Sequence, residues 1–135
     1  MIIPLLEAMS ANDRDEMRRL WGTLEGGLHA HFEAEERHAI PLLMATRPRD
    51  GQALIAEHKH LRRRLAELGT DIDLGTIRLE SVRGFVDELQ AHARHEDALL
   101  YQWCDDHLEG EDRRILLRAL LDAARGYLRP RTVAT

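Results

Sequence analysis

Cysteine is nearly absent. Cys104 stands alone in 135 residues, so no internal disulfide can form, and the chain reads as one from a reducing, cytoplasmic compartment. Aromatic residues make up only 4%, while Leu, Ala, Arg and Glu abound, a balance that suits helices. No apolar run approaches the length of a membrane span. The opening Met1-Ile-Ile-Pro-Leu-Leu-Glu7 has no basic n-region, and Glu7 cuts its apolar run short, so it does not read as a signal peptide. Positive charge is not in excess: the net charge of −5 gives no case for nucleic acid as a partner. A Gly-rich phosphate loop, a Cys pair for zinc, a Ser or Cys nucleophile arrangement and Asp-rich EF-hand spacing are all missing.

What is present in excess is histidine, with eight residues. The length suits one domain over 1–135 with a single core, a short N-terminal segment 1–12 and a frayed tail 129–135. Ser10, Asn12 and Asp13 are N-cap residue types, and Asp15 and Glu16 suit a first turn, so a long helix is expected from about 13 to 45. A turn at 46–51 leads to a second helix over 51–69. A loop at 69–75 leads to a third over 76–104, and a turn at 105–110 to a fourth over 111–128, closed by Pro130. The last helix carries Leu117, Leu120, Leu121, Ala124 and Leu128 on one face, expected to pack across the first and third helices. Short turns between long helices predict antiparallel neighbours and an all-α, up-down four-helix bundle. Two features oppose the first helix. Gly26-Gly27 costs about 1 kcal/mol per glycine, and Pro41 about 3 kcal/mol. Metal anchoring or close helix packing at the glycines could offset these costs.

Within this pattern, His and Glu fall where a bundle places Leu. One stripe runs Met17, Trp21, Leu24, Leu28, His31, Glu35, His38, Leu42; a second runs Leu54, His58, Leu61, Leu65, Leu68. A third runs Val82, Phe85, Leu89, His92, Glu96, Leu99, Trp103. Spacings of three and four keep each set on one helix face, with apolar turns above and below the polar ones. An unpaired buried carboxylate is costly, and a cation among these groups removes the cost. The chain also repeats a frame, Leu-x-Ala-His-x-x-x-Glu-acidic, at 28–36 and again at 89–97. One His-x-x-x-Glu means little, but two in phase with Leu stripes point to a metal site, with a buried hydrogen-bonded His–Glu pair as the rival reading. His58 is the inward His between them. His38 and Asp97 stay open as substitute ligands. His29, His60 and His95 point off the stripes, His107 lies in a turn, and Lys59 with Arg62, Arg63 and Arg64 reads as a solvated face.

Three segments carry a resemblance. Leu28-x-x-His31-Phe-x-x-Glu35-Glu36, Ala56-Glu57-His58-x-x-Leu61-Arg, and Leu89-x-x-His92-x-x-x-Glu96-Asp97-x-x-Leu-Tyr resemble the hemerythrin-like (HHE cation-binding) domains, over about residues 13–104. The resemblance implies an antiparallel four-helix bundle with a non-haem di-iron centre. It implies His31, His58 and His92 as terminal ligands and Glu35 and Glu96 as bridges. It further implies O2, NO or peroxide as the small ligand, bound, sensed or handled, or a role in iron handling. The family's first helix brings another His, for which Met1 to Ser10 has no counterpart. The last helix, although it has no His, is expected to take that helix's place, or a second chain covers the gap as a homodimer. A mononuclear site is the alternative to di-iron. Two rival functions remain: a ferritin-like di-iron oxidase or peroxide-removing enzyme, suggested by Glu35-x-x-His38, and a metal-free bundle acting through partner helices.

Overall fold

The structure, a computed structural model, describes residues 2–128, and every described element is helical. The elements are α1 (Ile2–Ser10), α2 (Arg14–His38), α3 (Ile40–Thr46), α4 (Pro48–Leu74), α5 (Leu79–Glu96), a π-helical turn (Asp97–Tyr101), α6 (Gln102–His107) and α7 (Gly110–Leu128). Pro130 and the tail lie outside the described residues, as does the side chain of Leu128.

The segment expected to be a mere lead-in is a helix. Leu5 and Ala8 of α1, three apart on one face, are buried against Met17, Trp21, Val82 and Phe85. Asn12 turns the chain at φ 53°, a left-handed conformation that Asn tolerates. Asp13 then caps α2, its side chain accepting a hydrogen bond from the Glu16 N–H at 3.1 Å.

The long first helix does not run to 45. It ends at His38, Ala39 leaves helical geometry (φ −119°), and α3 restarts with Pro41 in its first turn. Proline has no N–H to continue the ladder and fits a helix start. Gly26-Gly27, by contrast, stays helical, and close packing does not explain Gly26, since a Cβ there would meet nothing within 4 Å.

The loop expected at 69–75 is helical to Leu74, where Gly75 caps α4 at φ 71°. Ile72 extends the Leu54–Leu68 stripe inward, and Gly69 makes room for the Trp21 indole, whose Nε1 donates to the Leu65 carbonyl at 3.2 Å. Where α3 crosses α4, a Cβ on Gly51 would stand 2.0 Å from Met44 Cγ.

The third helix also differs from its expected span. It starts at Leu79 and passes through the π turn after Glu96, which slips the inward stripe by one residue. Leu100 is fully buried and the expected Leu99 is not, while Trp103 stays inside. On α7 the inward face is Leu116, Leu120 and Ala123; Leu117 and Leu121 are exposed. Leu116 packs with Ile40 and Leu43, while Ala123 and Ala124 lie beside Leu24 and Leu28, so α7 runs chiefly along α2 in the opposite direction.

Two apolar clusters result. One joins α1 to the early part of α2, the later part of α4 and the start of α5. The other joins α3, Leu54, Leu100, Trp103, Cys104, Leu108 and Leu116. Between them lie four buried polar side chains: Glu35, His58, His92 and Glu96.

Candidate metal centre

Each of these four reaches the same place because its helix turns the same stripe inward. Glu35 comes from the last turn of α2, His58 from the middle of α4, His92 and Glu96 from the last turns of α5. One side-chain ligand atom from each lies within 4.8 Å of those of the other three. His58 Nε2 is 3.0 Å from Glu96 Oε2 and 3.3 Å from Glu35 Oε1, and His92 Nε2 is 3.1 Å from Glu96 Oε2. Phe32 stacks on the His58 ring at 4.3 Å and meets His92 edge-on.

His31, the fifth residue singled out by the stripes, stays at the rim. Its side chain is 40% exposed, and it reaches only Glu35, with Nε2 3.2 Å from Oε2. His38 is not in the group; it faces Glu111, Arg114 and Arg118 of α7. Asp97 is exposed on the π turn.

The imidazoles are held from outside. Glu36 Oε2 accepts from His58 Nδ1 at 2.6 Å, and Glu57 Oε1 accepts from His92 Nδ1 at 2.6 Å. Glu57 also pairs with His95 Nδ1. Such carboxylates fix the ring and turn Nε2 inward, the arrangement found around metal-binding histidines. Arg62 is not simply solvated: its Nη1 donates to both oxygens of Glu36, and its guanidinium lies 5.5 Å from the Phe32 ring centre. The Tyr101 hydroxyl donates to Glu35 Oε2, the same oxygen that His31 approaches. Glu36, Glu57, Arg62 and Tyr101 are site residues that the inward stripes cannot reveal, because each stands one or more positions off its stripe. The available signal was the resemblance, whose three segments contain Glu36, Glu57, Arg62 and Tyr101.

The electrostatics follow from this crowding. Burial pulls the His58 imidazole down, but hydrogen bonds to Glu35, Glu96 and Glu36 overcome it and raise its pKa to about 9. Burial pushes the Glu35 carboxyl up, yet hydrogen bonds with His31 and His58 hold it far below the ordinary carboxylate range. A hydrogen bond to Glu35 raises His31; for His92, burial opposes and Glu96 and Glu57 prevail, again raising it. Burial and the Glu35 charge raise the Tyr101 phenol, which stays protonated. Without metal, a protonated His58 between carboxylates offsets part of the cluster's negative charge.

Three buried side-chain atoms lack a hydrogen-bond partner among the described residues: Arg64 Nε, and Glu35 Oε1 and His92 Nε2, the last two belonging to the four-residue group. Orphan lone-pair donors in a buried set of two imidazoles and two carboxylates fit a cation. A family model, the hemerythrin HHE cation binding domain, matches residues 1–104. The chain belongs to this family. Its hemerythrin match takes in α1 as well as the three segments around the cluster. No curated protein matches, and no solved structure does. Hemerythrin-type domains bind metal ions, and the buried His/Glu group could hold one.

Proposed function

We propose that this chain is a non-haem iron protein. His31, Glu35, His58, His92 and Glu96 hold the metal, as two ions or as one. The supporting observation is the buried set of four convergent side chains with two orphan ligand atoms. Nitrogen and carboxylate donors without thiolate favour iron or manganese among the common metals. Iron would supply a redox-active Lewis-acid centre for O2, NO or peroxide as the small ligand.

The chain's own residues do the rest. Glu36 and Glu57 orient His58 and His92. Phe32 and the two apolar clusters keep water from the inner face. A groove of about 440 Å³, lined by Leu24, Leu28, Phe32, Val86 and Leu89, leads to His31, His92 and Glu96. It suits entry of a small neutral ligand, and rim-placed His31 is the first polar group on that path. Scavenging or sensing suits so open a rim better than protected O2 carriage. The ferritin-like enzyme reading loses ground, because its motif needs His38 in the cluster and His38 points to α7.

We place α7 and α1 end to end in the position of the family's first helix, both antiparallel to α2, which completes a four-helix up-down bundle without that helix's His. Among the described residues, no helix is long and apolar enough to cross a membrane. A cytoplasmic location fits the lone buried Cys104, and a homodimer is the alternative cover for the gap left by that first helix. The test is metal content after purification, without a histidine tag, from iron-supplemented cells. One to two irons per chain is expected. Less than about a tenth of an equivalent of any transition metal sinks the reading and leaves the metal-free interaction protein.

A further inference from the structure

The hydroxyl of Tyr101 meets the site at Glu35 Oε2, the oxygen that the groove-facing His31 also approaches. It does so because of the π turn. In an uninterrupted α-helix, a residue five positions after Glu96 would point about 140° away from it. The turn closes with the Gln102 N–H bonded to the Asp97 carbonyl, five residues back, and this wider ladder brings Tyr101 round toward the Glu96 side. The side chain is part-buried and its hydroxyl donates to Glu35 Oε2. The other oxygen of the same carboxylate, Oε1, is one of the two orphan ligand atoms, 3.3 Å from His58 Nε2. Oε2 is therefore held by Tyr101 with His31 beside it, and Oε1 is left toward the cluster with only the His58 Nε2 near it.

Resting on the metal-centre reading, we infer that Tyr101 is a positioning residue: its hydroxyl fixes the rotation of the Glu35 carboxylate, presents Oε1 to the metal, and tempers that oxygen's electron donation. The neutral phenol donates a hydrogen bond and does not enter the ligand set. A carboxylate that shares density with a donor binds ferric ion less strongly than a bare one, so the donor raises the iron's reduction potential. A π turn directly after a site residue is the usual setting for such a device. The stripe hides it: read as plain α-helix, Tyr101 falls off the inward face.

The test uses the full chain loaded anaerobically with Fe(II). Tyr101→Phe removes one oxygen and keeps the ring. The variant should weaken Fe(II) binding about 10- to 100-fold in chelator competition, and shift the midpoint potential of the bound iron downward. In a Tyr127→Phe background, replacing tyrosine with 3-fluorotyrosine makes the Tyr101 phenol a stronger donor without removing any contact. The potential should then move upward, and this arm decides the matter should the Phe variant fail to fold. A packing role alone would not produce shifts of opposite sign. Unchanged affinity and potential in both proteins, with iron bound stoichiometrically, overturns the assignment and leaves the metal centre standing. Wild-type protein that takes up no iron overturns the metal centre and this assignment together.

Discussion

The two copies of Leu-x-Ala-His-x-x-x-Glu fold to different ends. On α5, His92 and Glu96 are both buried, and His92 is clamped at Nδ1 by Glu57 from α4. On α2, Glu35 is fully buried while His31 is half-exposed and pairs only with that same Glu35. The spacing is identical, so local helix geometry cannot account for the difference. What differs is the outer neighbour. Both copies line the same groove, but the α5 imidazole has the outward carboxylate of Glu57 on α4 behind it and the α2 imidazole has no such carboxylate. A motif supplies ligands, and the element packed behind it decides how firmly they are held.

The severest way to break this comparison is to remove the residue both copies lean on. His58 touches Glu35, Glu36 and Glu96, and without metal its charge offsets part of theirs. His58→Leu should destabilise the metal-free protein by about 3–5 kcal/mol, the cost of stranding buried charge. Urea unfolding at pH 7 measures it, and a loss below about 1 kcal/mol would mean that the cluster is neutral without His58.

Next comes the pair itself. His92→Ala should abolish stoichiometric iron, whereas His31→Ala should weaken binding and leave measurable iron in the protein. Glu57→Gln should fall between them, at about 10- to 100-fold in affinity. Equal losses from His31→Ala and His92→Ala would refute the inequality of the two copies.

Protons sharpen the same point. The folded pKa of His58, about 9, lies above its ordinary 6.5. Its contribution to metal-free stability is therefore fully present below pH 6.5 and is lost as pH rises through 9, on the order of 3 kcal/mol. Metal needs the same ring neutral, so metal affinity should instead climb with pH up to about 9, with proton release on binding at pH 7.5. Calorimetry in buffers of different ionisation enthalpy counts the proton; a count of zero would mean that His58 is already neutral. Free imidazole would have put this competition near pH 6.5, and only the folded carboxylates move it.

The inward stripes are legible in the sequence because period 3.6 is written in residue type, and the four buried polar residues lie on them. The interruptions are not. Leu99 and Leu100 are chemically alike, so nothing in the pattern says which one faces inward, and the π turn stays hidden. Gly69 reads as a loop signal, but its lack of a side chain serves the Trp21 indole on a neighbouring helix. Helix α1 is short and carries Pro4, so its propensity is poor; its formation depends on burial of Leu5 and Ala8. Pro41 was legible as a break, yet the length of the periodic pattern favoured continuity.

The mildest prediction tests why the α2 copy carries the weaker helix. Gly26 is helical with open space at its Cβ position. Gly26→Ala should stabilise the protein by about 0.8–1 kcal/mol with no change in iron content. Thermal melts of the metal-free protein read it out, and destabilisation would reveal a contact at Gly26 that its open surroundings do not show.

The π turn has one more consequence, and it concerns insertions and deletions. Because the ladder between Asp97 and Gln102 holds one residue more than an α-turn needs, dropping Ala98 would leave every backbone group able to pair in plain α register. The two ends of the helix would keep their facing, because the π turn already absorbs the extra residue: Tyr101 would then be the fourth residue after Glu96, about 40° from it. Leu100 and Trp103 would still face their apolar cluster while Glu96 faces His58. The harmful change is the opposite one, closing the turn to α register with Ala98 still present, which would rotate everything beyond it by about 100°. The segment therefore tolerates loss of a residue better than loss of its wider turn.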